Sequence, residues 1–172
     1  SRTRDDEGEQ LENGEAALIY FEMGKEFEYH DDEEKPLASR HPIHPHWAGL
    51  GDIGYVNDEG FLFLTDRATF MIISGGVNIY PQEIENAMIL HPKVADIAVI
   101  GVPSEEMGEE VKAIVQLAPG IPESAEVSAE LTEYVRSRIA HYKCPRSIDF
   151  KAELPRLPTG KLYKQLLKKE YW

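Results

Sequence analysis

"PRLPTGK", residues 155–161, sets Lys161 directly after a proline-threonine-glycine corner. Pro155 and Pro158 limit the conformations of the loop and Gly160 allows close backbone approach, so the ammonium is positioned without a helix. A point charge on a long stem suits a phosphate; a solvated lysine in a basic tail is the ordinary alternative. "GDIG" and "TDR" supply Asp52 and Arg67. Taken alone, Asp52 reads as a turn residue before a strand and Arg67 as a surface salt-bridge partner. "SGG", made by Ser74, Gly75 and Gly76, separates two apolar runs. It is either a bare turn or a place where a thin ligand passes close to backbone, and it lacks the lysine and spacing of a phosphate-binding P-loop. "HPIHPHW" holds His41, His44 and His46, but its two prolines impose an extended irregular chain and no carboxylate or thiol is placed with them. No metal site is expected there.

The elements that must hold these residues follow from pattern. "EAALIYFE" (15–22) reads as a strand, "FEYHDDEEKPLASR" (27–40) as a polar, partly helical excursion, and "GDIGYVNDEGFLFLTDR" (51–67) as a β-hairpin whose alternating apolar residues flank the turn "NDEG". From residue 70 a new unit begins, with "TFMIISGGVNIYP" supplying a strand, the glycine pair and a second short strand. "PQEIENAMILHP" then starts a helix with proline in its first turn and acidic residues where the helix dipole favours them. "KVADIAVIGVP", "EEVKAIVQLAP" and "RSIDFKAELP" read as further strands. "SAELTEYVRSRIAHY" (128–142) reads as an amphipathic helix with Leu131, Val135 and Ile139 on one face. The predicted class is α+β: a small mixed sheet flanked by helices, preceded by a β-rich region.

Composition bounds the function. With 172 residues, 42% of them apolar, the chain can bury one respectable core or two small ones. Its formal net charge of −13 argues against general binding to nucleic acid or to an anionic membrane. The imbalance is local: residues 1–40 hold thirteen Asp/Glu against five Lys/Arg, and residues 141–172 hold eight Lys/Arg against three Asp/Glu. A single cysteine, Cys144, excludes an internal disulfide framework and suits a reducing compartment, so a cytoplasmic protein is expected. No apolar run approaches the roughly 20 residues of a membrane span, and no leader resembles a signal peptide. The opening "SRTRDDEGEQLENGEAA" reads as a surface loop entered midway, as in a piece of a longer protein.

The run "GDIGYVNDEGFLFLTDRATFMIISGGVNIYPQEIE", followed about 70 residues later by "PRLPTGK", resembles the C-terminal portion of the adenylate-forming enzymes. These are acyl- and aryl-CoA synthetases, firefly luciferase and nonribosomal-peptide adenylation domains. The resemblance covers nearly the whole chain, because "YFEMGKEFEYHDDEEKPLASRHP" is similar to the stretch just upstream in fatty-acyl-CoA synthetases. It implies a two-step reaction. A carboxylate and ATP, accompanied by Mg²⁺, give an acyl-adenylate and pyrophosphate; the thiol of coenzyme A then displaces AMP. It implies that Asp52 and Arg67 reach the nucleotide ribose and that Lys161 is the catalytic cation. Ser74, Gly75 and Gly76 would line the pantetheine tunnel. Residues 1–65 would close a large N-terminal domain, 66–69 would form a hinge bounded by Asp66 and Thr69, and 70–172 would be a mobile C-terminal domain.

Two departures matter. Many members carry Lys or Asp two residues after the arginine, where this chain has Thr69; a hinge needs only backbone freedom. The family's upstream phosphate loop and acidic magnesium site have no counterpart here, so the chain alone is expected to lack adenylation activity. Its expected partners are a carboxylic acid (fatty or similar), ATP, coenzyme A and the missing N-terminal domain. The alternatives are an adenylation unit that loads a carrier protein and a non-catalytic binding module of the same fold.

Overall fold

In the computed structural model, residues 2–3, 14–22, 41, 43–44 and 46–172 are described. They fall into two compact units, Ser1–Thr69 and Phe70–Trp172. The predicted excursion at 27–40 lies outside the described residues.

The first unit is a four-stranded antiparallel sheet in the order β1 (Arg2–Thr3), β2 (Ala17–Glu22), β3 (Trp47–Val56), β4 (Leu62–Arg67). Ile19 and Ile53 are its fully buried apolar side chains. The β3–β4 turn is closed by Gly60 N–H donating to Asn57 O and Asn57 N–H donating to Phe61 O, with Gly60 at φ 85°. The Asn57 side chain also accepts from the Glu59 and Phe61 amides, which is why this turn was legible as "NDEG". His41 is buried; its Nδ1 accepts from the Ile43 and His44 amides and its ring packs edge-on against Tyr20 and Trp47. The described histidines of "HPIHPHW" thus include structural ones.

The second unit carries a five-stranded mixed sheet. β5 (Ile72–Ser74) and β6 (Val77–Ile79) form a short hairpin, β7 (Val94–Ser104) and β8 (Gly108–Leu117) a long one, and β9 (Ser147–Phe150) lies parallel to β8. Helices α1 (Pro81–Met88) and α2 (Ala125–Arg136) cover one face, where Ile84, Met88, Leu131 and Val135 pack on Ile97, Val99, Val111 and Ala113. Helix α3 (Lys164–Tyr171) covers the other, Leu167 packing with Ala98, Ile100 and Ile114. Because β7 is buried on both sides, it reads as one continuous apolar run instead of an alternating strand.

Two sequence readings need correction, and one helix has no counterpart in them. Helix α2 spans Ala125–Arg136 and not 128–142, because the Ser124 side chain accepts from Val127 N–H and starts the helix earlier; Ile139 still packs on the core from beyond its end. The last strand is confined to Ser147–Phe150. Helix α3, left unassigned by the pattern, is eight residues long, has no side-chain cap, and buries only Lys164 and Leu167. Its far end is anchored by the Tyr171 hydroxyl, which donates to Asp149 at 2.7 Å; burial first, and that carboxylate second, push the phenol above its usual range.

Glu85 belongs to the buried stripe Pro81, Ile84, Glu85, Met88. Its carboxylate accepts from the Val99 amide at 2.7 Å on the open edge of β7 and from the Lys164 ammonium at 2.7 Å, both side chains being 8% exposed. The pair joins α1, β7 and the start of α3. Removing one partner strands the other charge, so Glu85→Ala is expected to lower unfolding free energy by about 3–5 kcal/mol, measured by denaturant titration. A loss below about 1 kcal/mol, the value of an exposed pair, would contradict this.

Candidate active site

Asp52 and Arg67 face each other across β3 and β4, with Arg67 Nε 3.0 Å from Asp52 Oδ1. This pairing depends on a bulge. From the turn inward, Val56, Tyr55 and Gly54 oppose Leu62, Phe63 and Leu64, and continuing that register would set Asp52 against Asp66. The register instead shifts by one residue at Thr65, whose hydroxyl donates to Ile53 O at 3.1 Å. Arg67 thereby replaces a second carboxylate opposite Asp52, and the like-charge repulsion becomes attraction. Gly54 sits beside the shift, where a Cβ would lie 2.2 Å from Phe63 O. The result sets a carboxylate acceptor beside guanidinium donors on a half-exposed surface, the donor and acceptor set that a vicinal diol needs.

Asp66 accepts from the Arg67 amide at 2.7 Å. The chain then makes a single 3-10 turn over Ala68–Phe70, in which Thr69 is exposed, and the first unit ends.

In the second unit Ser74 pairs with Val77, so Gly75 and Gly76 form a two-residue hairpin turn with φ of 57° and 81°. Two consecutive positive φ values define the turn that matches strand twist and favours glycine at both places. The turn alone therefore accounts for both glycines. A Cβ on Gly75 would meet the Met107 side chain at 3.0 Å, while one on Gly76 would meet nothing within 4 Å. The turn is fastened to the β7–β8 loop by Gly75 N–H donating to Met107 O and by Ser74 pairing with Gly108.

Lys161 stands at the end of a second tight hairpin turn. Gly160 N–H donates to Leu157 O, Leu157 N–H donates to Lys161 O, and Gly160 has φ 83°, the same bonding pattern as the Asn57–Phe61 turn. Pro158 follows the first turn residue, where its fixed φ fits. Arg156 and Leu162 bridge across the hairpin. Three of the neighbouring lysines are engaged: Lys164 with Glu85, Lys168 with Glu109, and Lys151 with Glu170. Lys161 is exposed, and among the described residues no carboxylate lies within ion-pair distance of it.

The second unit separates its two candidate elements. The Lys161 hairpin is held to Asp96 near the start of β7, whereas the glycine turn adjoins Gly108, which pairs with Ser104 at the end of β7. Eight residues of strand at about 3.3 Å each put those ends roughly 26 Å apart. Among the described residues no cluster of three or more His, Cys, Asp or Glu could hold a metal ion. Nor is any helix among them long and apolar enough to cross a membrane.

The family model "AMP-binding enzyme C-terminal domain" matches residues 83–161. A long-chain-fatty-acid–CoA ligase of Mycobacterium tuberculosis is 40% identical over 169 residues, covering 98% of this chain and 32% of that protein. Among solved structures, ATP-bound MatB from Rhodopseudomonas palustris superposes with a TM-score of 0.82 at 29% identity, covering 99% of this chain and 33% of that one. The o-succinylbenzoate CoA synthetase of Bacillus subtilis, in complex with its acyl-adenylate intermediate, superposes with a TM-score of 0.79 at 34% identity, covering 97% and 33%. The chain spans about a third of the length of the relatives it matches. Residues 83–161 are an AMP-binding enzyme C-terminal domain, and over nearly its whole length the chain is similar to acyl-CoA ligases of the adenylate-forming kind.

Proposed function

We propose that this chain acts as the C-terminal part of an AMP-forming acyl-CoA ligase, which activates a carboxylic acid, fatty or similar, with ATP and passes the acyl group to coenzyme A. Asp52 and Arg67 bind the ribose hydroxyls. Lys161 sits over the region where the carboxylate attacks the α-phosphorus and offsets the charge that builds as two anions join. The turn Ser74–Gly76 lines the passage for the pantetheine arm in the second step. ATP arrives with Mg²⁺, whose ligands, like the acyl pocket, belong to an upstream domain. A single cysteine fits work in the reducing cytoplasm.

The observation that carries this reading is the separation of Lys161 from the glycine turn by the length of β7. One small domain that offers a cation at one end and a backbone-lined turn at the other cannot serve a single reaction centre with both at once. Two successive half-reactions, with the domain rotating about Asp66–Thr69 between them, use both ends in turn.

The test is carboxylate-dependent ATP–pyrophosphate exchange by the complete ligase across a series of fatty and aromatic acids, followed by thiol acceptance. Exchange with at least one acid, and AMP release on adding coenzyme A, are expected. Exchange without transfer to coenzyme A, but with transfer to a phosphopantetheinylated carrier protein, would move the assignment to carrier loading. No exchange with any acid would favour a binding module. The chain by itself is expected to give no exchange.

A further inference from the structure

The hairpin that bears Lys161 is clamped from outside by one side chain. Arg156 Nη1 donates to the Gly160 carbonyl at 2.7 Å, and Nη2 is bonded to Asp96 Oδ2. Asp96 lies at the register shift near the start of β7, where its other oxygen accepts from the Ile97 amide at 2.9 Å. The Gly160 carbonyl belongs to the peptide that leads into Lys161, and Gly160 is the residue of the turn with the widest backbone freedom. Fixing that carbonyl fixes the direction in which the Lys161 side chain leaves the hairpin.

We propose that Arg156 and Asp96 are positioning residues for Lys161: the guanidinium spans from the β7 edge to the Gly160 carbonyl and holds the ammonium in its working direction. The inference rests on the assignment of Lys161 above. A planar fork with several donors can hold a carboxylate and a carbonyl at once, which a lysine cannot do in fixed geometry. The Arg156 and Asp96 side chains are 46% and 22% exposed, so their ion pair is only partly buried, and its removal is expected to cost little stability and to leave the fold intact. Its effect is then on aim, and a catalytic group displaced by about 1 Å loses up to 10²-fold.

The experiment compares Arg156→Met, Arg156→Lys, Asp96→Asn and Lys161→Ala in the complete ligase. It measures ATP–pyrophosphate exchange, thioester formation from supplied acyl-adenylate, and thermal midpoint. Arg156→Met is expected to lower exchange about tenfold, with Arg156→Lys and Asp96→Asn falling in the same direction by less. Thioester formation should stay within about twofold and the midpoint within about 2 °C, as for loss of an exposed pair. Equal losses in both half-reactions, or no loss in either, would overturn the inference. So would a loss in Arg156→Met with Asp96→Asn silent, because Arg156 would then act on the nucleotide directly. If Lys161→Ala is selective for exchange while the Arg156 variants are silent, only the clamp is wrong; if Lys161→Ala is itself unselective, the underlying assignment is wrong.

Discussion

Lys161→Ala in the complete ligase is expected to lower ATP–pyrophosphate exchange by about 10²–10³-fold, the loss that follows removal of one preorganised charge-stabilising group. The magnitude follows from when the charge is needed. Bringing a carboxylate to a phosphate joins two anions, and the repulsion is greatest as the bond forms, so the ammonium contributes most in the transition state and less to substrate binding. The loss is therefore expected in kcat, with KM for ATP changed little. The hairpin makes the effect large: Lys161 follows a turn closed by two backbone hydrogen bonds, so little reorganisation is needed when the nucleotide arrives. Lys161→Arg keeps the charge but changes its length and hydration, and should recover only part of the rate. An unchanged kcat in Lys161→Ala would remove the residue from the chemistry.

Thr69→Pro is expected to produce the opposite pattern. Proline fixes the dihedral of residue 69, removes its amide and restricts Ala68 as well, stiffening the turn Ala68–Phe70 that connects the two units. Exchange should stay within about tenfold of normal while thioester formation falls about 10²-fold, as expected when a gating motion is blocked. Gly76→Leu should give the same pattern by a different route, filling the passage with side chain. Gly76 has a positive φ, which any Cβ strains, so Gly76→Ala, which carries that strain with the smallest side chain, separates the two effects: strain alone would make both variants fail alike, whereas an obstructed passage makes leucine much the worse. If Thr69→Pro lost both half-reactions equally while folded, residues 66–69 would be a fixed joint.

The sequence made the β3–β4 hairpin and the glycine turn legible because each rests on local rules: strand alternation, Asn57 and Gly60 at one turn, and a glycine pair at the other. Asp52, Arg67 and Lys161 are singled out by the order and spacing of whole motifs, since singly each has an ordinary structural reading. The bulge at Thr65 was not legible, because nothing in "FLFLTDR" marks which residue is the extra one, and only the partner strand shows that Arg67, not Asp66, opposes Asp52. Glu85 was missed for a related reason. Its position on the stripe Pro81, Ile84, Glu85, Met88 was available from helical spacing, but its partner, Lys164, lies 79 residues further on in a helix that pattern alone did not reveal. The Arg156 clamp likewise joins residues 60 positions apart.

The measurement that bears most directly on the division of labour within the second unit is single-turnover thioester formation by Lys161→Ala ligase given preformed acyl-adenylate and coenzyme A. Because Lys161 and the glycine turn lie at opposite ends of β7, and the second step has no anionic attack at the α-phosphorus, the rate should remain within about threefold of wild type, against the 10²–10³-fold loss in exchange. A fall in thioester formation as large as the fall in exchange would contradict the account, since one end of the domain would then be serving both steps.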